Sequence, residues 1–136
     1  WPHLYLPVRD AARWHYRYLQ HPTQSYVLLV LRQFLTGRPL AAMALREHPT
    51  HCEWLDYVGP QQGIELAVLA VREWVGAKGK PVTALVSDSV AALFSAQAET
   101  VHPSQIQIPV NAPPGQTTAP PWAGRFWFMG GDTDFL

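Results

Sequence analysis

The residues best placed for chemistry in this sequence are a glycine-bounded turn and the groups around it. Gly59-Pro60-Gln61-Gln62-Gly63 separates an apolar strand expected over 51–58 from an apolar helix expected over 64–77. A helix start carries free backbone N–H groups and the positive end of the helix dipole, so a turn of this kind offers a seat to an anionic ligand. Two carboxylates, Glu53 and Asp56, ride on the preceding strand, and alternation puts them on opposite faces. His48 and His51 stand at a spacing a metal ion could use; with Cys52 read as the only third ligand in reach, the pair reads as unliganded and no metal is expected. Arg13 and Arg17, one helical turn apart, could hold an acidic group or pair with carboxylates. Asp132 and Asp134 have no third acidic residue nearby and read as a capped chain end. Nothing reads as a nucleophile triad, a P-loop or a dinucleotide fingerprint.

The elements that must position these groups follow from periodicity and breakers. Asp10 can cap a helix through about residue 20, which His21-Pro22 stops. The run Tyr26-Val27-Leu28-Leu29-Val30-Leu31 is apolar on both faces, as a central strand over 25–34 should be. Thr36-Gly37-Arg38-Pro39 turns the chain into a second strand over 40–46, giving a hairpin. After the strand over 51–58, Ile64, Ala67, Val68, Val71, Trp74 and Val75 recur at helical spacing. Leu66, Leu69 and Ala70 fill the remaining faces, so that helix is expected to be buried on more than one side. A strand over 82–86, a helix from Ser87 or Asp88 through about 98, a strand over 105–110, a Pro-rich loop over 111–124 and an aromatic strand over 125–129 complete the chain. The strand, turn, helix and strand across 51–86 form a right-handed βαβ crossover and one central parallel pair. The expected fold is therefore α/β (α+β): a mixed, mostly antiparallel sheet with helices on both faces, in one domain over 1–136.

Composition bounds the function classes. The chain has 136 residues, 48% hydrophobic and 15% charged, enough for one cored domain. Ten basic and ten acidic residues cancel, which leaves no electrostatic footprint for nucleic acid or an anionic membrane. The lone Cys52 excludes an internal disulfide and suits a reducing, cytoplasmic setting. No apolar run approaches the length of a membrane span. The chain opens Trp1-Pro2-His3 without Met, which reads as a piece of a longer protein.

The element order α-β-β-β-α-β-α-β-β resembles the GNAT (GCN5-related N-acetyltransferase) fold lacking its first strand and first helix. The segment Arg9-Asp10-Ala11-Ala12-Arg13-Trp14-His15-Tyr16-Arg17-Tyr18-Leu19-Gln20-His21-Pro22 and the ending Phe126-Trp127-Phe128-Met129-Gly130-Gly131-Asp132-Thr133-Asp134-Phe135 are similar to those of one bacterial GNAT-like group. The resemblance implies acetyl-CoA as cofactor and a small-molecule amine as acceptor. The pantetheine arm would pair with the backbone at Tyr57 and Val58, the pyrophosphate would rest on Gln62, Gly63 and Ile64, and Phe94 would border the cofactor. It also asks for a base to deprotonate the amine, for which Glu53 and Asp56 are equal candidates.

The chain departs from that family where chemistry is concentrated. Glu65 stands where a second glycine is usual and sets a negative charge beside the pyrophosphate seat. Pro60 lacks a donor. Phe94 stands where many members carry a tyrosine acid, and phenylalanine donates no proton. Two readings follow: an acyl-CoA-dependent N-acetyltransferase, or a catalytically inactive GNAT-like binding or assembly domain of a larger protein. Absence of the first strand and helix would bare an apolar face and an edge, which a homodimer or an upstream domain of the same protein would cover.

Overall fold

The computed structural model describes residues 3–95, 98–104 and 124–132. The expected strand over 105–110, the loop over 111–123, Asp134, Trp1 and Trp122 lie outside the described residues. Four strands form one sheet in the order β1-β2-β3-β4: Val27–Arg32, Pro39–Glu47, Cys52–Val58 and Val82–Ala84. The first three are antiparallel neighbours, and β3 and β4 are parallel, paired as Cys52 with Val82, Glu53 with Thr83 and Trp54 with Ala84. Helices flank the sheet on both sides, so the mixed, mostly antiparallel architecture with one parallel pair is the observed one.

One face packs on the crossover helix α2, Ile64–Gly76, and on α3, Asp88–Ser95. Its core joins Met43 and Leu45 of β2, Cys52, Trp54 and Tyr57 of β3, Ile64, Ala67, Val68, Val71 and Val75 of α2, and Val90 of α3. Each fully buried Val or Ile there stabilises by about 1.5–3 kcal/mol. The other face is smaller: Ala44 and Leu55 meet Tyr18, with Trp14, Tyr26 and Leu28 packed around them. Asp10 does cap α1, Ala11–Trp14, accepting from the Arg13 amide at 2.7 Å. The helix then widens into a π-helical turn, His15–Leu19, which ends where the sequence stops it.

Three features differ from the sequence reading. A bulge between Ala44 and Leu45 of β2 leaves Leu55 as an extra residue in β3. Trp54 and Tyr57, three apart, therefore share the α2 face, while Glu53, Leu55 and Asp56 all turn to the Tyr18 face. Glu53 and Asp56 are thus not on opposite faces, because alternation breaks at the bulge. Helix α2 is buried on one side only: Leu66 and Leu69 are 55% and 54% exposed. Finally, the segment 125–129 is no regular strand. It makes single bridges, Phe126 to Tyr5 and Met129 to Val86, and a short 3-10 turn follows at Gly130–Asp132.

Candidate functional site

The parallel pair is short. After Trp54 and Ala84 the two strands part, although β3 runs on to Val58. A ligand arm could enter such a fork and pair with the free strand backbone. The protein's own chain enters it instead. The Pro81 carbonyl faces β3 and accepts from the Cys52 amide at 2.9 Å; the two-residue repeat carries the Leu85 carbonyl to the same side. There it accepts from the Gly130 amide at 3.0 Å. Gly131 lies on β3, so close that an added Cβ would meet the Leu55 carbonyl oxygen at 2.8 Å and collide with the Tyr18 hydroxyl. Trp127 is buried and stacks on Tyr57, ring centroids 5.8 Å apart.

The turn expected to seat a pyrophosphate is closed in the same way. Tyr57 is 1% exposed, and its hydroxyl donates to the Pro60 carbonyl at 2.7 Å. The turn wraps around that hydroxyl: a Cβ on Gly59 would come within 2.5 Å of it, and one on Gly63 within 2.7 Å. Both glycines are thus explained by close approach to a side chain. The Gly63 amide donates to the Pro60 carbonyl at 2.9 Å, and the Ile64 amide donates to Gln61 in the 3-10 turn Gln61–Gly63. Gln62 and Glu65 are exposed at the helix start. Tyr57 directs its amide to Asp56 Oδ1 at 2.8 Å, Val58 pairs with Ala42, and burial pushes the Tyr57 phenol up to about 12.

Asp56 anchors a buried ionic network. Arg9 donates from Nε to Asp56 Oδ1 at 2.6 Å and from its other arm to Asp132 Oδ2. Side-chain exposure is 9% for Arg9, 3% for Asp56 and 2% for Asp132, so the charges must be paired to be tolerated. Tyr18 donates to Asp56 Oδ2 at 3.2 Å, and the Met129 amide donates to Asp132 Oδ2 at 3.0 Å. Arg13 approaches Asp132 Oδ1 at 3.5 Å. Burial pushes the Tyr18 phenol up, with the Asp56 charge adding to it, so Tyr18 stays protonated and donates. Burial also raises the Asp132 carboxyl, against the lowering effect of Arg9. Arg9 further lies over the Trp127 ring, 5.4 Å from its centroid. The first and last distinctive segments of the chain therefore meet on β3, and Arg9 ties them together by pairing with both Asp56 and Asp132.

Glu53 belongs to a separate group. Its Oε2 accepts from Arg46 Nε at 2.8 Å and from the second Arg46 nitrogen at 2.6 Å, and lies 2.8 Å from His48 Nε2. Burial pushes its carboxyl up, but the hydrogen bonds and charges of His48 and Arg46 outweigh this and hold it below the usual range. A carboxylate held low is a weak base. Phe94 packs edge-to-face on Trp54, centroids 5.2 Å apart, as part of the α2-side core.

The structure thus joins Tyr57, Gly63 and Ile64 in one closed turn, and separates Glu53 from Asp56 into two networks. Of the residues in these two networks, the sequence reading did not single out Arg9, read His48 and His51 as an unliganded pair, and read Asp132 as a capped chain end; the structure pairs Asp132 with Arg9 and His48 with Glu53. Hairpin register was the available signal for the histidines, because Arg46 pairs with Glu53 across the turn they occupy. Comparison of the chain with protein-family models, curated proteins and solved structures returned no match. Among the described residues, no helix is long and apolar enough to cross a membrane.

Proposed function

We propose that this chain is a catalytically inactive GNAT-like domain that serves binding or assembly within a larger protein. The observation that carries this reading is the Gly130-Gly131 segment lying where β3 and β4 part, on the path a pantetheine arm would take. The internal use of the Tyr57, Gly63 and Ile64 amides supports it, as do the ion-paired Glu53 and Asp56. The surface for assembly lies at the outer edge of the sheet. Among the described residues β1 is the outer strand, and an open groove lined by Leu29, Leu31, Met43, Ala70 and Trp74 runs between it and α2. Leu66 and Leu69 extend the apolar surface along α2. Its occupant in this reading is a second copy or an upstream domain of the same protein.

The second reading, an acetyl-CoA-dependent N-acetyltransferase acting on a small amine in the cytoplasm, is favoured by one feature: a strand fork beside a bulge, the kind of irregularity that often adjoins a site. Calorimetric titration of the protein with acetyl-CoA and with CoA separates the two. The assembly reading expects no heat of binding at millimolar ligand; saturable binding in the micromolar range would move the conclusion to the acyltransferase.

A further inference from the structure

We propose that His48, His51 and Glu53 form a zinc site at the β2–β3 turn, closed in the metal-free chain by the side chain of Arg46. One ligand atom from each of the three residues lies within 4.8 Å of the other two. His48 Nε2 and Glu53 Oε2 are 2.8 Å apart. In a tetrahedral site two atoms that each bind zinc at about 2.0–2.2 Å stand roughly 3.3–3.6 Å apart, so this hydrogen-bonded pair has to open by only about 0.5 Å to form a coordination edge. The His51 ring stacks on His48 at 4.4 Å, with its plane tilted by 6°. A rotation about its side-chain bonds closes the third ligand position. Two imidazoles and a carboxylate suit zinc and not calcium or magnesium, and they leave a fourth position open.

The hydrogen bonding of His48 points the same way. His48 Nε2 and Arg46 Nε both converge on Glu53 Oε2, each at 2.8 Å, so the imidazole and the guanidinium share one carboxylate oxygen. A zinc ion would take the lone pairs of both Nε2 and Oε2. The Arg46 guanidinium already places a positive charge beside both atoms, 3.1 Å from Nε2 and 2.6 Å from Oε2, so it acts as an internal competitor.

The backbone is fixed for this role. The His48 amide donates to the His51 carbonyl at 2.8 Å, closing the turn, and the Cys52 amide ties the next residue to Pro81 at 2.9 Å. Lys80 donates to the His48 carbonyl at 2.8 Å. Access is open, since the His48 side chain is 32% and that of Glu53 21% exposed. Cys52 is buried in the α2-side core, by alternation on the face away from His51 and Glu53.

The test is calorimetric titration of the folded chain with zinc chloride at neutral pH, with the absorption spectrum of the cobalt(II) form as a second readout. The expected result is one zinc per chain. His48→Ala and His51→Ala should each weaken binding by about tenfold or more, since loss of even an outer partner of a metal site costs about 10–100-fold. Arg46→Gln should tighten it by about tenfold or more by removing the competing charge. The cobalt form should lack a thiolate charge-transfer band. Three results overturn the proposal: no saturable zinc binding by the parent chain, binding unaffected by both histidine substitutions, or a thiolate band that assigns the metal to Cys52. Circular dichroism of each variant distinguishes a lost ligand from a lost fold.

Discussion

Replacing Arg9 with methionine should cost the fold about 4 kcal/mol, because one guanidinium compensates two carboxylates that water barely reaches. Removing one partner of a buried ion pair costs about 3–5 kcal/mol, mostly the penalty of the charge left behind. Methionine keeps much of the apolar stem against Trp127 and so isolates the charge. With an unfolding entropy of about 2.1 cal/mol/K per residue, a loss of 3–5 kcal/mol over 136 residues lowers Tm by roughly 10–18 °C. The loss has a pH signature. Burial already raises the folded-state Asp132 carboxyl above its ordinary value. A carboxyl raised in the folded state contributes stability that is full below its unfolded value and is lost as pH rises through the folded one. Without Arg9 the folded value rises further, so the variant falls behind most at neutral pH and recovers as acid protonates Asp132. Urea unfolding at neutral and acidic pH measures both effects, and Arg9→Met with Asp132→Asn should restore part of the loss. A deficit below about 1 kcal/mol, or one that does not change with pH, would refute the claim that this network holds the two chain segments on β3.

The closed turn makes a paired prediction. Gly63→Ala should destabilise by about 1–3 kcal/mol and lose most of that cost in a Tyr57→Phe background, since the Tyr57 hydroxyl is the close obstacle at 2.7 Å. Gly59→Ala should stay costly in the same background, because Ala41 Cβ and the Tyr57 ring also lie at 2.8 Å; urea midpoints of the four variants decide both. Burial, followed by the Glu47 charge, pushes the Cys52 thiol up, so a disulfide reagent should label it slowly in native protein and at once in denaturant, whereas fast native labelling would contradict its place in the core. In sedimentation the protein should self-associate through β1 and α2, and Leu66→Glu with Leu69→Glu should return it to monomer; a parent that stays monomeric across the micromolar range would remove the homodimer from the assembly reading.

The strands and the crossover were legible because their signals are local. Apolar runs, breakers at Gly37-Arg38-Pro39 and a helical repeat from Ile64 locate β1, β2 and α2 to within a few residues. The parallel pair followed from the crossover. What escaped depends on contacts between distant parts of the chain. The bulge at Leu55 has no composition of its own, yet it moves Asp56 to the face of Glu53. Leu66 and Leu69 look like core residues because helical periodicity cannot say whether a partner is present. Gly59 and Gly63 were readable as glycines needed for close approach, but not whether the approaching atom belongs to a ligand or to Tyr57. The aromatic segment 125–129 carries strand propensity, yet its backbone is divided between Tyr5 on one side and Val86 with Ser87 on the other. The partnership of Arg9, Asp56 and Asp132 spans nearly the whole chain and leaves no periodic trace.

The central claim, that the protein's own Gly130-Gly131 segment and the Tyr57 hydroxyl fill the place of a cofactor, is tested most directly by following backbone amide resonances during titration with acetyl-CoA. The amides of Gly63, Ile64, Gly130 and Gly131 are the reporters. The account predicts that none of them moves at millimolar ligand and that the Gly130 amide stays protected from exchange by its bond to Leu85. Saturable shifts of Gly63 and Ile64, together with release of Gly130, would contradict it and show an entrance that the acyltransferase reading requires.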